Sequence, residues 1–495
     1  MTLLIDGHSF HYEMENLCRI FYPHSKINIV TVEPSEEEQP AADGVTAYTG
    51  LKKREDGSFL LAVRLKTESA EKSSGKLIPA GTPEDEIQRR MAVTLWQMLS
   101  DALGYRPKWG ILTGVRPIKL YGRLAAKSGE EAASQYFREK LYVAPEKAEL
   151  ARITWANQKE ILSLSRPDSF SLYAAIPFCP TRCAYCSFVS SSVEKAFRLV
   201  PQYVELLCDE LRRTAQLVKD LHLRMQSAYI GGGTPTVLSA DQLSQIIRTI
   251  RENFDFSDCR EFTVEAGRPD TVTEEKLAAL RAGGVTRISI NPQTLNDEVL
   301  QAIGRKHTTA QTLAAFELAR SCGFQNINMD LIAGLPKDSP ESFQRTLDGI
   351  LKLSPESITV HTLALKRAAR LNHEGDVPFT GADTAEQMIS AADSQLPQHG
   401  YHPYYLYRQS RMVGNLENTG WAKPGLESLY NVLIMEECQS ILACGAGAVT
   451  KLKDPYSSRI ERVFNFKYPY EYISRYQEMV LRKDKVKKFY ENING

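Results

Sequence analysis

Residues 176–188 read IPFCPTRCAYCSF and place Cys179, Cys183 and Cys186 four and then three positions apart on one short turn. Three thiols at that spacing, in a loop punctuated by Pro177 and Pro180, mark a metal site before anything else. Unrelated packing cysteines are the plainer alternative, but buried cysteines seldom recur on such a pattern. A structural zinc ion takes a closed tetrahedron, usually from two Cys or Cys/His pairs, and no second cluster lies nearby in the sequence. An iron–sulfur cube takes one thiolate per iron, so three cysteines would leave one iron for a ligand other than protein.

Outward from that loop, residues 171–365 alternate short β-rich runs with amphipathic helical windows. The runs are SLYAAI (171–176), SAYIGG (227–232), EFTVEA (261–266), RISIN (287–291), INMDLIAG (327–334) and SITVHTL (357–363). Six strand–helix repeats predict an α/β fold with a parallel, barrel-like sheet. In such sheets the site forms beyond the carboxyl ends of the strands. The unusual residues fall there in every repeat: the cysteines after the first strand, GGGTPT after the second, Glu265 closing the third, Gln293 after the fourth, Asp330 in the fifth, and His361 with Ala364 ending the sixth. Gly231–Gly233 let backbone approach a ligand closely, and Thr234 and Pro235 set the turn. A lone acid such as Asp330 in an apolar strand is costly to bury without a partner.

The Cys-x3-Cys-x2-Cys loop, with Tyr185 just before its third cysteine, resembles the cluster loop of radical S-adenosylmethionine (SAM) enzymes, and its surroundings SLYAAIPFCPTRCAYCSF resemble the oxygen-independent coproporphyrinogen III dehydrogenase group, in its HemZ-like branch. The resemblance covers roughly residues 165–470 and implies a partial (β/α)6 TIM-type barrel. It implies a [4Fe–4S] cluster on Cys179, Cys183 and Cys186, with SAM on the open iron. SAM contacts carried over residue by residue are Tyr173, Tyr185, Gly232, Gly233, Thr234, Glu265, Gln293, Arg305 and Asp330, with Glu265 on the ribose and Arg305 toward a second SAM. The implied activity is oxidative decarboxylation of two propionates of coproporphyrinogen III to vinyls, with a tetrapyrrole substrate and an electron donor for the cluster. Haem trafficking, or another radical SAM tetrapyrrole reaction, is the alternative. No side chain is assigned as an acid or base.

Lys366, Arg367 and Arg370 are candidate anchors for substrate carboxylates. Three departures stand out: Phe188 replaces a fourth cysteine, Ala175 a histidine, and Tyr430, Asn431, Ile434 and Met435 occupy the place of the His-Asn-x-x-Tyr-Trp pattern of a haem-chaperone branch.

At 495 residues the chain exceeds one core, and we expect an N-terminal α/β accessory domain (1–165), the barrel (166–370) and a C-terminal cap (371–495). The first of these carries the apolar runs LLID, INIVTV and FLLAVRL, followed by helical patterns, with SEEEQPAADG and SAEKSSGK read as exposed loops. GVRP at 114–117 lacks a phosphate-loop pattern and reads as a turn before a helix. The tail LRKDKVKKFYENING reads as a basic surface helix. Sixty basic and sixty acidic residues cancel, which leaves no field for nucleic acid or an anionic membrane. With no signal-peptide pattern, no apolar run of membrane length, and six further cysteines scattered in apolar contexts, a cytoplasmic protein is expected.

Overall fold

The computed structural model describes residues 1–23, 25–32, 44–186, 191–364, 381–409 and 412–494. The chain forms two compact units, residues 1–152 with 408–416, and residues 153–407 with 417–495. In the first, β1 (Thr2–Asp6), β2 (Asn28–Thr31), β3 (Thr46–Lys53), β4 (Phe59–Lys66) and β5 (Glu71–Ile78) form a sheet in the order β2-β1-β3-β4-β5. β4 alternates as a half-buried strand should, with Leu61, Val63 and Leu65 fully inside. Helix Glu84–Leu103 begins with Glu84, Asp85 and Glu86 against its positive end and stops at Gly104 in the left-handed region (φ 64°). β5 corrects the reading of SAEKSSGK as a loop. Its one fully buried residue is Ile78, and backbone pairing with β4 from Lys66↔Glu71 to Phe59↔Ile78 makes it a strand. An exposed edge strand of this kind leaves no hydrophobic period to detect. GVRP does precede a helix, Pro117–Ser128, with its proline in the first turn. Most of SEEEQPAADG lies outside the described residues.

In the second unit the six expected strands appear as β6 (Ser169–Ile176), β7 (Arg224–Gly232), β8 (Glu261–Glu265), β9 (Arg287–Ser289), β10 (Ile327–Ala333) and β11 (Ser357–Thr362). Each is parallel to the next. Helices Val200–Asp220, Ala240–Asn253, Glu274–Ala282, Thr309–Ser321 and Pro340–Leu353 lie in the five crossovers, and Ser239–Gln242 and Thr308–Gln311 form capping boxes at two of them. β6 and β10 are buried along almost their whole length, as strands covered on both faces must be. This is the expected partial barrel. The C-terminal stretch contributes β12 (His402–Tyr407), β13 (Asn418–Ala422), β14 (Ser440–Cys444), β15 (Val449–Lys453) and β16 (Ile460–Phe464) to the same sheet. β13 joins β11 antiparallel, and β14 joins β6 parallel.

A buried polar knot ties this addition to the first barrel strand. The Glu210 carboxylate accepts from Lys483 Nζ (2.9 Å), Asn465 Nδ2 (2.8 Å), the Gly445 amide (2.8 Å) and the Tyr472 hydroxyl (2.7 Å). Tyr203 donates to the Ala175 carbonyl (2.7 Å) and accepts from the Ala446 amide (2.9 Å). A side chain at Gly445 (φ 98°) would put its Cβ 2.6 Å from that carbonyl, so only glycine lets β14 close on the end of β6. Lys483 therefore corrects the reading of the tail as surface: it is buried, as are Val486, Phe489 and Tyr490 on the helix Asp484–Asn494. Removing one partner of such a pair leaves the other charge stranded. We expect Lys483→Met to lower stability by ~3–5 kcal/mol and Glu210→Gln with Lys483→Met to cost less than the two changes summed, read by chemical denaturation.

Candidate functional site

The cysteine loop leaves β6 after Ile176 with its backbone bonded mostly to other segments. The amides of Gly233 and Thr234, at the end of β7, donate to the carbonyls of Ile176 and Phe178 (2.7 Å each). The Ala184 amide donates to the Ile303 carbonyl (2.9 Å), and within the loop the Cys186 amide reaches the Cys183 carbonyl (3.2 Å). Cys183 is buried and Cys179 and Cys186 are partly exposed. The Thr234 hydroxyl donates toward Cys179 Sγ (3.7 Å). The glycine segment has to be bare, since a Cβ at Gly233 would stand 2.4 Å from the Phe178 carbonyl oxygen.

From there the site continues across the strand ends. A Cβ at Gly232 would lie 3.4 Å from the Tyr173 hydroxyl, and one at Gly231 would lie 3.0 Å from the Glu265 carboxylate. Glu265 accepts a 2.6 Å hydrogen bond from Tyr229. Burial raises its pKa to about 7; the Tyr229 bond opposes this and the nearby Asp330 charge adds to it. Tyr173, Tyr229 and Tyr430 stack on one another, with Tyr229 and Tyr430 4.4 Å apart at their ring centres. Tyr430 thus packs its ring beside Tyr173 from the helix Leu429–Glu436.

Asp330, which the sequence left in need of a partner, finds Asn328, His361 and Thr359. Asn328 Nδ2 donates to one oxygen (2.7 Å), and His361 Nε2 stands 3.7 Å from the other. Burial would raise the Asp330 pKa, but the His361 and Asn328 contacts outweigh it and hold the carboxyl below its usual range. Asn328 is itself fixed by the hydroxyls of Ser357 (3.1 Å) and Thr359 (3.2 Å). Gln293 adopts φ 69°, a left-handed conformation unusual for a residue with a side chain. It is pinned there by Gln293 N–Asp330 O (2.9 Å) and Ile332 N–Gln293 O (3.0 Å), and its buried Oε1 has no partner among the described residues. Arg305 is buried, donates to the Asn291 carbonyl (2.6 Å), and lies beside the Tyr185 hydroxyl and the Cys183 thiol. Its Nε also lacks a partner among the described residues.

The expected residues therefore lie on two connected strings. One runs Cys179–Thr234–Gly232–Tyr173 and on to Glu265; the other runs Cys183–Tyr185–Arg305 toward Asn291, with Gln293 and Asp330 bonded to each other. Lys366, Arg367 and Arg370 lie outside the described residues. Tyr229, Asn328 and Tyr430 were missed as site residues, and His361 was read only as a strand end. Two of these had a signal: Tyr229 and Asn328 precede Gly231 and Asp330 by two, so each shares its neighbour's strand face.

The profile of the Radical SAM superfamily matches residues 173–350, from Tyr173 into the helix before β11. The oxygen-independent coproporphyrinogen-III oxidase-like protein HemZ of Bacillus subtilis is 35% identical over 503 aligned residues, covering 98% of this chain and 97% of that protein. The heme chaperone HemW of Bacillus subtilis is 32% identical, covering 56% of this chain and 70% of its own. The solved structure of coproporphyrinogen III oxidase (HemN) from Escherichia coli, a radical SAM enzyme, is 25% identical with a TM-score of 0.51, covering 68% of this chain and 73% of that one. The cofactors are those of the superfamily, a [4Fe–4S] cluster and SAM. On the end-to-end match and the shared barrel, the chain belongs to the radical SAM superfamily, in the family of the HemZ oxygen-independent coproporphyrinogen-III oxidase-like proteins.

Proposed function

We propose that this protein oxidatively decarboxylates two propionate side chains of coproporphyrinogen III, giving protoporphyrinogen IX without oxygen. The observation that carries the reading is the near end-to-end similarity to the coproporphyrinogen-III oxidase-like HemZ. Each conversion removes a hydrogen atom, an electron and carbon dioxide from a propionate, so an electron acceptor is part of the reaction. A cytoplasmic location goes with this reading: all nine cysteines are free thiols, and among the described residues no helix is long and apolar enough to cross a membrane.

The residues present suit the two cofactors. Thiolates are the natural ligands of an iron cube, and three of them on one loop would hold three irons. Among the described residues no group of three His, Cys, Asp or Glu side chains is placed to hold a metal ion. The bare edge at Gly231–Gly233 offers backbone groups to a ligand, and the unpartnered Gln293 Oε1 and Arg305 Nε are buried polar atoms of the kind a ligand satisfies. When bound, cluster and SAM together supply a 5′-deoxyadenosyl radical for hydrogen abstraction.

In this reading Cys179, Cys183 and Cys186 hold the cluster and leave one iron for SAM. Gly232, Gly233 and Thr234 line the side on which its amino group sits, and Glu265 takes the ribose hydroxyls on two acceptor oxygens. Tyr173 and Tyr185 pack against the cofactors, while Gln293, Arg305 and Asp330 bound the far side.

Haem trafficking is the second reading, favoured by the similarity to HemW. Against it, Tyr430 stands where the chaperone pattern has histidine and is buried in the tyrosine stack. Another radical SAM reaction on a tetrapyrrole would show itself by its product.

Anaerobic reconstitution with iron and sulfide, then SAM, reductant and coproporphyrinogen III, should yield 5′-deoxyadenosine, carbon dioxide and protoporphyrinogen IX. Tight haem binding without product would favour trafficking instead. Cys183→Ser should abolish cluster assembly and SAM cleavage together; a full four-iron cluster with normal turnover in that variant contradicts the ligand assignment. SAM affinity, followed by equilibrium binding, should rise as pH passes upward through about 7, because Glu265 must be charged to accept from the ribose. Glu265→Gln should flatten that dependence and weaken binding ~10-fold or more. Tyr229→Phe, which removes a bond that lowers the Glu265 pKa, should move the midpoint to higher pH.

A further inference from the structure

We infer that Arg268 is a positioning residue for the cysteine loop, acting through the hydroxyl of Thr181. Arg268 follows β8 and is 3% exposed. Its guanidinium forms two parallel bonds to Asp270, Nε–Oδ1 and Nη2–Oδ2, each 2.9 Å. The remaining terminal nitrogen, Nη1, donates to Thr181 Oγ1 at 3.0 Å. Thr181 stands midway between Cys179 and Cys183, and its own hydroxyl proton goes to the Gly304 carbonyl (3.4 Å). That hydroxyl therefore accepts from one segment and donates to another, which fixes the middle of the loop between two rigid neighbours. One residue past Cys183, the Ala184 amide reaches the Ile303 carbonyl, so the Ile303–Gly304 turn backs the loop at two points.

The arrangement is costly to build for packing alone. A buried guanidinium carries a large desolvation cost unless it is paired and its remaining N–H groups are bonded. Asp270 meets the charge, and Thr181 takes a further N–H, so the pair aims a rigid fork at the loop. No pair on the surface would gain the same rigidity. The geometry thus sets the spacing between the first two cysteines before any cluster is bound, the kind of outer support that fixes metal ligands in place.

The inference rests on the ligand assignment proposed above, and Cys183→Ser reports on that assignment separately, since it removes the cluster outright instead of loosening it. The test uses full-length protein, anaerobically reconstituted, with iron release to a chelator and the electron paramagnetic resonance line of the reduced cluster as readouts. Thr181→Val, which keeps shape and removes the hydroxyl, should speed iron release about fivefold and broaden the line, the factor one hydrogen bond is worth. Thr181→Ser should stay within about twofold of the unaltered protein. Arg268→Gln, which also strands Asp270, should speed iron release at least as much as Thr181→Val, and adding Thr181→Val to it should bring no further increase, because the Thr181 linkage is already broken. Iron release from Thr181→Val at the unaltered rate, or effects of the two changes that multiply, would overturn the inference. Thermal unfolding of Thr181→Val within a few degrees of the unaltered protein separates positioning from general loss of structure.

Discussion

A loop proposed to present three thiolates together has few hydrogen bonds of its own to fold on. In this protein the loop borrows its order. Gly233 and Thr234 donate into it from the end of β7, and the Ile303 carbonyl accepts from it on the other side. The rest of the second unit can be read as what holds those lenders still. β7 is locked beside β6, and β6 is closed on its other edge by β14 at a glycine where no side chain fits. The Glu210 knot then holds β14 and the C-terminal helices to the helix Val200–Asp220. Segments distant in sequence thus serve the geometry of a dozen residues.

Charge is handled with similar economy. Glu265 and Asp330 are partly buried acids close enough for the charge of Asp330 to raise the pKa of Glu265, yet their surroundings tune them apart. Burial lifts the Glu265 pKa to about 7 against the pull of its tyrosine, while a histidine and an oriented amide hold Asp330 ionised. Arg305 brings positive charge to the opposite string, beside Cys183. His307, buried near Arg268 and Arg305, is driven down to about 4 by burial first and then by those two cations, so it adds no charge of its own.

Much of this was legible in the sequence because the relevant signals are local. Cysteine spacing, a glycine run and apolar strands with one polar residue at the tip each sit within a few positions, and six repeats fix their order around the sheet. What escaped was set by contacts between distant segments. Lys483 looks like one more lysine of a basic tail, and nothing near it in sequence announces Glu210. β5 is polar up to its last two residues and exists through its pairing with β4. Tyr430 was weighed only as a missing histidine, and its place against Tyr173 and Tyr229 depends on strands more than 200 positions away. Thr181 and Arg268 are ordinary residues until the fold brings them to 3.0 Å.

In the proposed function, three protein sulfurs leave one corner of a cube for SAM. Electron–nuclear double resonance on the reduced cluster, with SAM labelled at its amino nitrogen and carboxylate, reads that corner directly. Coupling of both labelled groups to the cluster is the predicted result, and a reconstituted cluster that shows neither coupling in the presence of saturating SAM would contradict it.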